Sequence, residues 1–273
     1  LIAISQLYNQ SITLAHILQL INYYPDSFKS LIYSNEATLL WVDDNKNNKE
    51  ASMKILSILN QKGGAGKTTI SVNICMALHK LGYKVLLVDT DPQGSSRDLG
   101  AANAENPIPV VGLDRPTLAK DLKAVSGGFD YVVIDGVHQL QNMSLAAIKV
   151  SDLVVIPVQP SPFDIWACDD LVELIKTRQE ITDGSPDAAF LVNRAIKNTK
   201  LSKEVNNALS DHGIPIFETV IHQRVVFIDS VGSGLTSVQV EPKGEAALEI
   251  QSLVDEILLK LTEIGRAHVW TPV

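Results

Sequence analysis

From Met53 onward the chain alternates between short runs of consecutive apolar residues and longer segments with a helical apolar period. The uninterrupted runs at 54–59, 84–89, 108–111, 131–135, 153–158 and 188–193 predict strands buried on both faces, with a shorter strand near 216–218. Helical patterns fall between them. Ser161-Pro162 supplies an N-cap and a proline at the first helical position for a helix over 164–176, and Gly213 is placed to end a helix over 200–212. Strands alternating with helices predict an α/β fold, a doubly wound and mostly parallel sheet with helices on both faces. In such sheets ligands bind beyond the carboxyl ends of the strands, so chemistry is to be sought just after each apolar run.

The first run leads into Lys62-Gly63-Gly64-Ala65-Gly66-Lys67-Thr68-Thr69, and an amphipathic segment ending near Leu81 follows. Strand, glycine-rich turn and helix start form a phosphate cradle, because glycines let backbone N–H groups turn inward and the helix adds its unpaired amides and positive dipole end. Lys67 supplies a point charge for the outer phosphates, and Thr68 offers a hydroxyl to Mg2+. The usual pattern is GxxxxGK[ST]; here Gln61 replaces the first glycine and Lys62 sits inside the loop. The run at 131–135 ends in Asp135, an acid placed as a Walker B residue would be, near the metal or its waters.

The string KGGxGKTT resembles the deviant Walker A box of the ParA/MinD family of dimeric ATPases, closest to the ParA partition ATPases. The resemblance covers residues 53–262 in motif order and spacing. It implies a P-loop ATPase that hydrolyses ATP with Mg2+, dimerises around ATP, and responds to a small adaptor protein that stimulates hydrolysis. It implies that Lys62 reaches the nucleotide of the partner subunit. It also assigns ATP to Gly63, Gly64, Ala65, Gly66, Lys67, Thr68 and Thr69. The string VDTDPQGS resembles the family's first switch, which makes Asp91 the residue that positions the attacking water and Asp89 a neighbour of the metal or of Thr68. Asn193 matches the position that reads the adenine edge. The second switch departs from the common D[ST]PP form: this chain has Asp135-Gly136-Val137-His138-Gln139. His138 is expected to be a contact residue.

The chain is 273 residues long, 45% hydrophobic and 20% charged, with a formal net charge of −8 and a pI near 5.2. That balance argues against a wholesale polyanion-binding surface, so nucleic acid must be met by a local patch. Arg194, Lys197, Lys200, Lys203 and Arg224, together with Lys243, are the candidates for a stripe on the face where ParA-like dimers hold DNA, with contacts to phosphates and no sequence preference. Cys75 and Cys168 stand far apart without metal-ligand spacing and read as core residues of a cytoplasmic protein. The last amphipathic segment, 245–261, sets Leu248, Ile250, Leu253, Val254, Ile257, Leu258 and Leu261 against Glu249, Asp255 and Glu256, an acidic face unsuited to membrane binding.

Three domains are expected. Residues 1–52, with weak helical patterns at 7–23 and 28–33, read as a weakly folded extension or translated upstream sequence, since Met53 precedes the first strand and Lys49-Glu50 would be encoded by a purine-rich hexamer. A genuine regulatory arm is the alternative. Residues 53–262 form the ATPase domain, and 263–273, which lose the period, a disordered tail. The expected function is segregation of a plasmid or chromosome region by a nucleoid-associated ATPase. The alternatives are positioning of another cargo, such as a protein compartment or conjugation complex, and a nucleotide-dependent binding module with little turnover.

Overall fold

The computed structural model describes Leu31–Ile32, Leu40–Trp41 and residues 53–138, 142–197 and 201–267, and the chain divides into two units between Ala51 and Ser52. In the first unit β1 (Leu31–Ile32) pairs antiparallel with β2 (Leu40–Trp41), Leu31 facing Trp41 and Ile32 facing Leu40. This corrects the short helix expected over 28–33: Leu31 and Ile32 take extended, ladder-paired backbone. The helix expected over 7–23 lies outside the described residues.

In the second unit the apolar runs become β3 (Lys54–Ile58), β4 (Val85–Asp89), β5 (Val110–Gly112), β6 (Tyr131–Asp135), β7 (Leu153–Val158) and β8 (Asp187–Val192). They form a parallel sheet in the order β5-β4-β6-β3-β7-β8. β5 starts later than the apolar run because Pro109 has no N–H to give to a ladder; its carbonyl instead accepts from Leu87. The strand expected near 216–218 is reduced to a bridge between Ile216 and Phe190, at which Pro215 contributes only its carbonyl.

Because successive strand residues face opposite ways, the sheet builds two cores. Leu56, Ile58, Val85, Leu87 and Val133 pack against α1 (Lys67–Lys80) and the terminal helix, whereas Leu86, Val88, Val132, Ile134 and Ile156 pack on the other face. The second layer consists of α3 (Leu118–Val125), α4 (Asn142–Val150), α6 (Asp169–Ile181) and α7 (Leu201–Ser210). The short helix α2 (Ser95–Ala102) follows β4, and α8 (Val226–Asp229) and α9 (Ser237–Val240) precede the terminal helix.

The single helix expected over 164–176 is two: α5 (Pro162–Trp166) and α6. Cys168 N bonds to Ile165 O, tightening the turn, while the Cys168 thiol bonds to Asp164 O. The terminal helix α10 spans Glu245–Ala267, past the boundary expected at 262, since one glycine, Gly265, costs a helix only about 1 kcal/mol. Residues 268–273 lie outside the described residues. No described helix is long and apolar enough to cross a membrane.

Register sets the place of the site. Ile58 pairs with Asp135, and Asp135 with Asp89, so the ends of β3, β6 and β4 lie side by side.

Candidate functional site, a nucleotide loop and its switches

The loop after β3 is held largely by its carbonyls, which leaves the amides of residues 64–69 free. Gln159 Nε2 donates to Gly64 O, Asn193 Nδ2 to Ala65 O, and Lys67 Nζ to Lys62 O at 3.2 Å. Asn60 fixes the loop's entry, donating to Pro157 O and accepting from Lys62 N. Gly64 and Gly66 take left-handed backbone, with φ of 78° and 92°. Gly66 stands at the N-cap of α1 with no side chain to cap it, and among the described residues no acceptor takes the N–H groups of residues 64–69. A row of unpaired amides at a helix N-terminus fits a polyphosphate.

Lys67 is buried, and burial pulls its ammonium below the usual lysine range while Asp135 and Asp91 hold it partly up. It is a cation poised for an anionic guest.

Asp135 lies beneath the loop, 2% exposed. Its Oδ2 accepts from Thr68 Oγ1 at 2.8 Å and Ser96 Oγ at 2.7 Å, and its Oδ1 from Ser71 Oγ at 3.2 Å. Burial pushes its carboxyl up to about 6, against the stabilising hydroxyls and with help from the neighbouring Asp89. A carboxylate and a threonine hydroxyl in contact below a phosphate cradle are the donor set Mg2+ takes, directly or through water. Ser71 lies one helical turn beyond Thr68 on the same face of α1, a spacing that would have revealed it; Ser96 carries no such signal.

Among the described residues Asp89 makes no hydrogen bond to Thr68. It is fully buried and accepts from the backbone of Asp91, Ser96 and Arg97, with Arg97 Nε at 3.6 Å. It caps the N-terminus of α2 and so ties the start of that helix to the end of β4. Asp91 takes Gln93 N on Oδ1 at 2.9 Å, and His138 Nδ1 lies 3.2 Å from its Oδ2. Gly136 leaves no room for a side chain: a Cβ there would meet Ile58 O at 2.7 Å. Gln139 lies outside the described residues.

Lys62 is paired within its own chain, Nζ lying 2.7 Å from Asp164 Oδ2. Asp164 is buried at the start of α5, and its Oδ1 has no hydrogen-bond partner among the described residues. Both Gln159 and Asp164 follow β7, at the strand-end edge where ligands are expected.

Asn193 braces the loop. Its Nδ2 serves Ala65 and its Oδ1 accepts from Arg194 N, and a Cβ on Gly66 would come within 2.3 Å of that Nδ2. Beside it, Arg194, His222, Gln223, Arg224, Phe227 and Ile228 line a narrow cleft that opens from Gly66 and Thr69. The base expected at Asn193 would therefore meet this cleft's walls, with one amide hydrogen and one lone-pair direction of Asn193 left over.

Two cations of the basic stripe are paired with acid. Lys197 Nζ lies 2.8 Å from Glu245, and Arg224 pairs with both Glu245 and Glu249. Glu249 also accepts from His222 N and faces its Nδ1. Burial alone would raise the Glu249 carboxyl, but the Arg224 and His222 bonds bring it below the usual range, and Lys197 and Arg224 lower Glu245. Arg194, at φ 55°, is exposed, as is Lys243. Lys203 stands on α7, and Lys200 lies outside the described residues.

Residues 56–238 match the CobQ/CobB/MinD/ParA nucleotide binding domain. The chain is 31% identical over 208 residues to a maintenance of carboxysome distribution protein A from Halothiobacillus neapolitanus, covering 74% of this chain and 95% of that protein. It is 28% identical over 248 residues to the chromosome-partitioning ATPase Soj of Thermus thermophilus, covering 78% and 98%. In fold it is similar to the septum site-determining protein MinD of Pyrococcus horikoshii, solved with Mg-ADP, at a TM-score of 0.64 and 19% identity over 75% of this chain and 96% of that one.

Proposed function

Since the chain belongs to the CobQ/CobB/MinD/ParA nucleotide-binding family, we propose that it is a Mg2+-dependent ATPase that dimerises around ATP and uses the cycle to distribute a cargo within the cell. The observation that carries this reading is Asp135, buried beneath an uncapped helix and hydrogen-bonded to Thr68, with Asp91 and Lys67 at the same strand edge. Mg-ATP, when bound, supplies the triphosphate and the Lewis acid that neutralises its charge. The free amides of residues 64–69 and Lys67 would bind the phosphates, Thr68 and Asp135 would hold the metal, and Asp91 would orient water toward the outer phosphate. Binding energy differing between monomer and dimer is what lets ATP shift the population.

The cargo is read as a protein assembly. The relative at 31% identity is named for carboxysome distribution, and two of the cations expected to grip DNA, Lys197 and Arg224, are committed to Glu245 and Glu249. Segregation of a plasmid or chromosome region is the second reading, favoured by the 28% identity to a chromosome-partitioning ATPase. Either cycle would use an adaptor that stimulates hydrolysis and a nucleoid surface held through phosphates.

The test is size-exclusion chromatography and phosphate release in Mg-ATP, in Mg-ADP, and in ATP with a chelator. A dimer in Mg-ATP alone, with phosphate release abolished by the chelator, is expected. A monomer in saturating Mg-ATP that releases no phosphate, even with DNA present, would leave only a nucleotide-binding module.

A further inference from the structure

The second switch is the part of the site least like its family's common form, and besides the two Thr90 bonds to Asp135 O it meets the first switch through His138. Nδ1 of His138 lies 3.2 Å from Oδ2 of Asp91. The other oxygen, Oδ1, accepts from Gln93 N at 2.9 Å. The Asp91 carboxylate is thus held by one donor on each oxygen, from two different loops, with a second lone pair on each oxygen still available to a water. Its negative charge also helps hold the Lys67 ammonium up against the effect of burial. Among the described residues His138 makes no hydrogen bond to the phosphate loop, and its side chain is 45% exposed.

A carboxylate that orients water is effective only if its own rotation is stopped, because a misplacement of about 1 Å can cost about a hundredfold in rate. Gln93 restrains Oδ1 from within the first switch, and Oδ2 would swing freely without a second donor. His138 sits three residues after Asp135 on a segment whose start is pinned by the Gly136 N to Ile58 O bond. The ring is therefore delivered from the strand that also carries the metal-holding acid.

We infer that His138 is a positioning residue for hydrolysis: its Nδ1–H holds the Asp91 carboxylate in the orientation that receives the attacking water, and so couples the second switch to the first. This rests on the reading of the protein as an ATPase with Asp91 as its water-positioning group. The ring need not take up a proton during the reaction; it acts through Asp91.

Two experiments test it. In nucleotide-free protein at pH 8, long-range 1H–15N spectra of the histidine rings should show His138 protonated at Nδ1, and Asp91→Ala should return it to the Nε2–H form that free imidazole side chains prefer. An unprotonated Nδ1, or a His138 signal indifferent to Asp91→Ala, would overturn the inference without touching the ATPase reading. In steady-state phosphate release, His138→Ala should lower kcat at least tenfold with KM and the affinity for a fluorescent ATP analogue within twofold. His138→Asn, whose amide N–H₂ replaces the Nδ1–H, should recover most of the loss. Combining Asp91→Ala with His138→Ala should be no worse than Asp91→Ala alone. Wild-type kcat in His138→Ala, failure of the Asn variant to recover, or additive losses would each sink the inference while wild-type turnover keeps the ATPase reading standing. Absence of phosphate release from the wild type would remove both.

Discussion

The ammonium of Lys62 lies 2.7 Å from a carboxylate oxygen of Asp164, so the lysine expected to reach a partner's nucleotide is held within its own chain. Asp164 is 3% exposed and its other oxygen has no hydrogen-bond partner among the described residues, which makes Lys62 its main compensation. Lys62→Ala should therefore destabilise the monomer by about 1–3 kcal/mol, less than a fully buried pair would because Lys62 is partly exposed. Adding Asp164→Asn should restore the loss, as read by urea unfolding. Asp164→Asn alone should move ATP-dependent dimerisation to lower ATP concentration, since no internal pair then has to break. An unchanged midpoint in that titration would show that Lys62 stays with Asp164 throughout the cycle.

Gly66 and Gly63 belong to the same loop and are predicted to differ sharply. At Gly66 the φ of 92° and the Asn193 amide 2.3 Å from a would-be Cβ both oppose a side chain. Gly66→Ala should cost about 2 kcal/mol or more and abolish binding of a fluorescent ATP analogue. Around Gly63 a Cβ would meet nothing within 4 Å, and its φ lies outside the left-handed region. Gly63→Ala should keep wild-type thermal stability. Equal losses at the two positions would show that the brace from Asn193 does not shape the loop.

The strands were legible because β3, β4, β6, β7 and β8 are apolar runs with hardly a polar break, and only a doubly covered parallel sheet buries such runs. The loop was legible for a local reason, since glycines, lysine and threonine are consecutive. What the sequence concealed are contacts between single polar residues on distant segments. Asn60 and Pro157, Gln159 and Gly64, and Ser96 and Asp135 meet through the sheet's crossovers, and a lone asparagine, glutamine or serine at a strand end has no period to mark it. Asp89 and Asp91 both stand at the end of one apolar run, yet the start of α2 captures the first while the second meets Gln93 N and His138. The break between α5 and α6 escaped notice because Ala167 and Cys168 have no helix-stopping chemistry of their own.

Burial of Asp135 gives the metal-free protein a defined pH dependence. The carboxyl is raised from 3.8 to about 6, so the folded state binds its proton more tightly than the unfolded chain. The associated stability is fully present below about pH 4 and lost as pH rises through about 6, a difference of roughly 3 kcal/mol at most. Asp135→Asn removes this component, so the wild type minus Asp135→Asn difference in unfolding free energy should fall between pH 4 and 7 in EDTA. Mg2+ must displace the proton, so Mg2+ affinity measured with ADP should weaken as pH falls below about 6. A pH-independent difference would place the Asp135 carboxyl in the ordinary range and remove the argument.

The acidic face of α10 decides how much of the basic stripe is available to a polyanion. Glu245 and Glu249, one turn apart, hold Lys197 and Arg224, and Arg224 is drawn above its ordinary value by those bonds. A phosphate must compete with carboxylates already in place, whereas Arg194 and Lys243 are exposed. Glu245→Gln should release Lys197, and with it part of the charge on Arg224. Affinity for a mixed-sequence duplex in Mg-ATP should then rise several-fold at 50 mM salt, with the slope of log K against log salt steeper by about one for each cation freed. Arg194→Glu should weaken binding in the wild type more than Lys197→Glu does, because only the second replaces a charge already neutralised. Fluorescence anisotropy across a salt series separates the cases: an unchanged slope in Glu245→Gln, with Lys197→Glu as damaging as Arg194→Glu, would mean that the acidic helix face yields Lys197 to DNA without cost.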